Sequence, residues 1–70
     1  MGKESKKWIN KETFEKITPG DRLNIRYMNG IAIVQEQPDV EKETIDVTFE
    51  GGAWNGRTIN LIRQQIERIL

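Results

Sequence analysis

The stretch RLNIRYMNGIAIVQEQ, residues 22–37, decides how the rest of the chain is read. Leu23, Ile25 and Tyr27 alternate with Asn24, Arg26 and Met28, the period of two that marks a strand with unlike faces. Asn29-Gly30 follows, a pair suited to a tight hairpin because both central positions of a type I′ turn need positive φ. A return strand is expected from Ile31 to about Gln37. Pro38 then ends it, since proline has no N–H to offer a ladder.

A two-residue turn sets the register of this hairpin. It places Tyr27 opposite Ala32 and Ile25 opposite Val34, both pairs on one face. Met28, Ile31 and Ile33 then share the other face, which is also apolar. Both faces need cover. One is expected in a barrel interior, and the other beneath an N-terminal segment carrying Trp8, Ile9 and Phe14. If that segment does not cover it, a partner must.

Upstream, residues 1–7 (MGKESKK) are polar and charged and read as a disordered lead-in to a single domain over residues 8–70. A short helix is predicted from Lys11 to about Ile17. Asn10 is its N-cap, Ile9 and Phe14 form a hydrophobic staple across its start, and Glu12 and Lys16 suit its dipole. Thr18-Pro19-Gly20-Asp21 ends it in a turn.

Downstream, Asp39-Val40-Glu41-Lys42-Glu43 reads as an acidic loop. Ile45, Val47 and Phe49 alternate with Asp46, Thr48 and Glu50 as a third strand. Gly51-Gly52-Ala53-Trp54-Asn55-Gly56 is a turn region. A two-residue turn at Asn55-Gly56 would put Ile59 and Leu61 on the face opposite Phe49, although both belong in the core. A bulge at Gly51-Gly52, or a wider loop, must therefore shift the register. Arg57–Leu61 is a fourth strand. Beyond it Ile62, Ile66, Ile69 and Leu70 fit a helical stripe capped by Asn60. They also fit a 3₁₀ turn at Arg63–Gln65 followed by a short fifth strand at Ile66–Ile69, the reading preferred here.

Four to five short antiparallel strands after a short N-terminal helix make a mainly β domain. The features are the Gly20-Asp21 turn before the first strand, the Asn29-Gly30 turn and the closing Ile66-Glu67-Arg68-Ile69. Together, over residues 20–69, they resemble a small Src-homology-3-like barrel, a class that loosely includes the KOW modules of ribosome- and polymerase-associated proteins. The KOW glycine spacing is not reproduced, so the resemblance implies a fold class and no particular activity.

Composition bounds the function. Folding a chain of 70 residues buries only ~60% of the surface it exposes when unfolded, so stability is thin. With no Cys and no His, disulfides are excluded and a structural zinc site nearly so. Net charge is zero but unevenly spread: +3 over residues 1–35, −5 over 36–56 and +2 over 57–70. A dedicated non-specific nucleic-acid binder is basic overall, and this chain is not. No secretory signal or membrane-length apolar run is read, and Lys6 stands where a myristoylation pattern needs Ser or Thr. A cytoplasmic location is expected.

Catalysis is not expected. The one serine is Ser5, in the lead-in, and a barrel this small is filled by its own side chains. No cofactor is implied. The acidic run Asp39, Glu41, Glu43 and Asp46 reads as a solvated loop rather than a calcium site, since it lacks the ligand order of one. Trp54-Asn55-Gly56-Arg57 is the cluster best suited to contact a partner, as an aromatic and an arginine beside a glycine turn. Arg26, Met28 and Ile33 on the first hairpin complete the candidate binding residues. Arg22, Arg26, Arg57, Arg63 and Arg68, with Lys11 and Lys16, would form a basic face if the first and fourth strands came together. The expected function is a non-enzymatic module that binds a protein partner or itself through the first hairpin and the Trp54 loop. The alternative is a small RNA- or DNA-binding module of a transcription or translation regulator.

Overall fold

The computed structural model describes residues 8–70; the predicted lead-in at residues 1–7 lies outside the described residues. Helix α1 (Lys11–Glu15) is followed by strands β1 (Arg22–Ile25), β2 (Ile31–Val34), β3 (Thr44–Glu50) and β4 (Thr58–Ile62). A 3₁₀ turn (Arg63–Gln65) then leads into β5 (Ile66–Ile69). The strands form one antiparallel sheet in the order β4-β3-β2-β1-β5. Its two end strands do not pair with each other, so the sheet is not closed. The C-terminal residues take the 3₁₀-turn-and-strand form and not the helical one.

Helix α1 starts where its cap requires. The Asn10 side chain accepts from the Thr13 N–H at 2.8 Å, satisfying one of the free amides of the first turn. It ends two residues earlier than predicted. Lys16 and Ile17 donate to Thr13 and Phe14 carbonyls in tightened turns. Thr18 and Asp21 then close the next turn, with Asp21 Oδ2 accepting from the Thr18 N–H at 2.9 Å and Gly20 at φ +95°.

The core lies on one face of the sheet. Leu23 and Ile25 of β1, Ala32 and Val34 of β2, Ile45, Val47 and Phe49 of β3, Leu61 of β4 and Ile66 of β5 are buried with Phe14 and Ile17. Among the described residues no polar or charged residue is buried. A five-residue helix has no stability of its own. Here it is held by Phe14 and Ile17, which lose all exposure.

The first hairpin departs from its predicted register. Arg22 pairs with Ile33 and Leu23 with Ala32, where a two-residue turn would have put Ile25 opposite Val34. β1 stops at Ile25, whose carbonyl accepts from the Met28 N–H at 3.3 Å in a tight turn, while the Arg26 N–H, on the β5 side of the strand, donates to the Gln65 carbonyl at 2.8 Å. Residues 26–30 thus make a wider loop. Leu23, Ile25, Ala32 and Val34 still face the core because the shift is an even number of residues. Tyr27 does not: it leaves the strand at φ +62° and is 92% exposed. Met28 turns inward against the core, so it does not share a face with Ile33.

The second face is also not covered as predicted. The N-terminal segment packs with the inner core instead, and Ile31 and Ile33 stay half-buried on the outer face. Ile33 lies opposite Arg22 and Ile31 opposite Glu50. Arg22 Nη2 reaches Glu50 Oε1 at 3.4 Å across β2, so the two aliphatic stems run beside these isoleucines.

The loop between β3 and β4 takes the wider form. Val47 pairs with Ile59 and Ile45 with Leu61, which puts both β4 residues on the core face. Gly51 and Gly52, at φ +81° and +73°, turn the chain, and the Asn55 side-chain oxygen accepts from the Gly51 N–H at 2.7 Å.

One polar cluster ties the N-terminal segment to the sheet. Arg63 Nε donates to Glu43 Oε1 at 3.0 Å, and Arg63 Nη1 donates to the Ile9 carbonyl at 2.9 Å. Lys11 Nζ lies 3.5 Å from Glu43 Oε2. The Ile9 N–H donates in turn to the Ile66 carbonyl. The Arg63 hydrogen bond, the largest effect, holds the Glu43 carboxyl below the usual carboxylate range; burial, next in size, opposes it, and the charges of Arg63 and Lys11 add to the lowering.

Candidate binding surface at the loop end of the sheet

β1 and β3 both run toward the same end of the sheet, so the loop of residues 26–30 and the loop of residues 51–57 emerge side by side. Their backbones touch. An added Cβ at Gly30 would lie 2.3 Å from the Gly51 carbonyl oxygen, and one at Gly52 would lie 2.7 Å from the Asn29 carbonyl group. Glycine is required at both places, because a side chain there would force the loops apart.

Each loop presents an arginine against aromatic rings. The Arg26 guanidinium lies 4.8 Å from the Tyr27 ring centroid and 5.4 Å from that of Trp8, and its Nη2 donates to the Tyr27 hydroxyl at 2.7 Å. The Arg57 guanidinium lies 5.9 Å from the Trp54 ring centroid. Trp54 is 38% exposed and stays outside the core. Exposed cation–π contacts of this kind contribute about 0.5–1 kcal/mol each. They orient the guanidinium groups more than they stabilise the fold.

Charge pairing and stacking together set these two arginines apart. Arg22 pairs with Glu50, and Arg63 and Lys11 pair with Glu43. Among the described residues Arg26, Arg57 and Arg68 have no carboxylate partner, and of the three only Arg26 and Arg57 lie against aromatic rings. The basic face anticipated from the meeting of the first and fourth strands is not built, because β2 and β3 lie between β1 and β4.

The sequence-selected residues therefore divide. Trp54, Arg57 and Arg26 stand on the two touching loops. Asn55 stands there too, but its side-chain oxygen is used to hold Gly51. Met28 packs inward, and Ile33 lies on the outer face of the sheet. Two residues that meet Arg26 were not among those selected: Trp8, read as part of the segment covering the hairpin, and Tyr27, read on the same covered face as Ile25. Strand parity kept Tyr27 with Ile25, and only the early end of β1 separates them.

The opposite end of the sheet is acidic. Glu36, Asp39 and Asp46 line a shallow depression with Lys42 and Asn60. Asp39 is engaged locally, its backbone bridging Thr44 and its side chain accepting from the Lys42 N–H at 3.1 Å. Among the described residues no three acidic groups are placed to hold a metal ion. None of the described helices is long and apolar enough to cross a membrane. Comparison of the chain with protein-family models, with curated proteins and with solved structures finds no match in any of the three.

Proposed function

We propose that this chain is a non-enzymatic interaction module of small Src-homology-3-like architecture that contacts a protein partner, or a second copy of itself, through the loop end of its sheet. The strand order, with β5 beside β1 and a 3₁₀ turn between β4 and β5, supports the architecture. Tyr27 carries the functional reading. A bulky residue at φ +62° costs about 1–2 kcal/mol relative to ordinary backbone. Such strain persists where structure or function requires it. Glu43, at φ +57°, has a structural reason in its contacts with Arg63 and Lys11. Tyr27 takes its positive φ at the third position of the turn closed by the Met28 N–H on the Ile25 carbonyl, a place that glycine or asparagine ordinarily fills, and its ring stands out in solvent beside Trp8 and Arg26. Tyr, Trp and Arg are the residues that dominate protein contacts.

A second reading, nucleic-acid binding, is favoured by the same stacks, since bases pack on aromatic rings flanked by arginine. Zero net charge and the acidic far end of the sheet weigh against it. The test is affinity capture with the intact chain and with Tyr27→Ala as baits of equal stability, together with a concentration series of amide spectra for self-association. A species held by the intact chain and lost from Tyr27→Ala supports the reading. Identical capture by both baits, with loop amides indifferent to concentration, refutes it.

A further inference from the structure

The chemistry of the partner follows from how the cations on this chain are satisfied. Resting on the interaction reading above, we infer that the loop end takes a short acidic segment of a protein partner, with side-chain carboxylates on Arg26 and Arg57 and apolar atoms on Tyr27 and Trp54. Arg22 and Arg63 each meet a carboxylate within the chain, at 3.4 and 3.0 Å. Arg26 and Arg57 are instead laid against aromatic rings; Arg26 gives one Nη2 bond to the Tyr27 hydroxyl and keeps its other N–H groups, and Arg57 makes no side-chain hydrogen bond among the described residues. A planar guanidinium donates two parallel hydrogen bonds to a carboxylate, and stacking on a ring restricts its motion before the anion arrives. The two loops approach closely at Gly30–Gly51 and Gly52–Asn29, so the loops that carry the two arginines lie side by side.

The charges around the site limit the length of the ligand. Glu50 stands at the foot of the loop of residues 51–57, well exposed and shared only with Arg22. Residues 36–56 carry a balance of −5. Of these acidic residues only Glu50 lies by the loops, the others standing toward the opposite end of the sheet, so a long polyanion running that way is repelled while a segment with two or three carboxylates need not extend there. That difference favours an acidic protein segment over a nucleic-acid strand.

The probes are three fluorescein-labelled octamers: alternating Glu and Leu, alternating Lys and Leu, and oligothymidylate. Anisotropy is read at low salt with the full chain and with Arg26→Gln, Arg57→Gln, the double variant and Tyr27→Ala, each first checked for an unchanged melting curve. The acidic peptide is expected to bind and the lysine peptide not to. Each single arginine variant should weaken the acidic peptide about two- to fivefold, and the double variant by roughly the product. Binding of the acidic peptide that is the same in the double variant, or absent in the intact chain, overturns the inference. Tighter binding of oligothymidylate through the same two arginines overturns it in favour of nucleic acid. If no octamer binds while Tyr27→Ala still loses a captured protein, the inference fails and the interaction reading stands. If the acidic peptide binds and Tyr27→Ala leaves it unaffected, the role given to Tyr27 fails instead.

Discussion

Replacing Gly30 by alanine tests the register of the first hairpin, because the two arrangements of residues 26–31 give that methyl group different surroundings. At the tip of a two-residue turn it would project into solvent. In the wider loop it would lie 2.3 Å from the Gly51 oxygen, 2.9 Å from its carbonyl carbon and 3.0 Å from the Glu50 oxygen. Gly51 and Gly20 supply the controls. They have φ of +81° and +95°, close to the +93° of Gly30, but an added Cβ at either meets nothing within 4 Å. Alanine at positive φ costs about 1–2 kcal/mol, reduced by about 0.4–1 kcal/mol because alanine also restricts the unfolded chain. Gly51→Ala and Gly20→Ala should therefore each lose about 1 kcal/mol. Gly30→Ala adds an overlap with backbone at the end of β3, which cannot swing aside like a side chain. Overpacking of this kind costs about 1–3 kcal/mol, for a total of about 2–4 kcal/mol. A domain of this length has a total stability of roughly 3.5–10 kcal/mol, so that loss is a large share of it. Urea unfolding followed by circular dichroism measures all three variants, with a constant slope as the check that the unfolded state is unchanged. In melting temperature the controls should fall by about 4–8 °C and Gly30→Ala by two to four times as much. A Gly30→Ala value within about 0.5 kcal/mol of the controls would refute the close approach of the loops. The two-residue hairpin would then be the better account.

Other perturbations test other parts of the structure. Phe14→Ala removes a fully buried ring and should cost about 3–5 kcal/mol, as read by chemical denaturation; deleting residues 1–17 should leave the chain unfolded or aggregated. Either change leaving the unfolding midpoint untouched would show that α1 is not part of the core. Glu43 titrates below its ordinary value of 4.5 in the folded state. Its contribution is therefore fully present above the unfolded pKa and is lost as pH falls through the lower folded one. Glu43→Gln should accordingly flatten the acid limb of the stability curve, and an acid limb of unchanged steepness would contradict the role given to Arg63 and Lys11. Tyr27→Gly relieves positive φ at an exposed site and should leave thermal stability equal or raised by up to about 1 kcal/mol. A loss above about 1 kcal/mol would mean that the Tyr27 ring supports the fold.

Much of the architecture was legible where one local pattern had one consequence. The alternation of Ile45, Val47 and Phe49 required an inward face for β3. Because Ile59 and Leu61 had to join that face, parity alone required a loop wider than Asn55-Gly56, as the pairing of Val47 with Ile59 bears out. Asn10 was readable as a cap, since a helix start exposes amides that a short side-chain acceptor satisfies. The hairpin itself was readable but its register was not, because Asn29-Gly30 is ambiguous between two physical demands for glycine. Gly30 does take positive φ, but Asn29 does not, and the missing Cβ at Gly30 makes room for a carbonyl twenty-one residues further along the chain.

The same ambiguity hid part of the candidate surface. Trp54 and Arg57 were found because an aromatic and an arginine beside glycines have no strand pattern to absorb them. Tyr27 continued the alternation of Leu23 and Ile25, so a core role absorbed it without remainder. What takes Tyr27 out of the core is the turn of residues 25–28, in which the Ile25 carbonyl accepts from the Met28 N–H and Tyr27 takes φ +62°. That turn breaks the alternation before Asn29-Gly30, and no periodicity within residues 22–37 carries its trace. The exposure of Tyr27 is thus a consequence of β1 ending two residues before the alternation does. The turn that ends β1 early also releases Arg26 and Tyr27 into the loop whose far side, Asn29 and Gly30, meets Gly51 and Gly52.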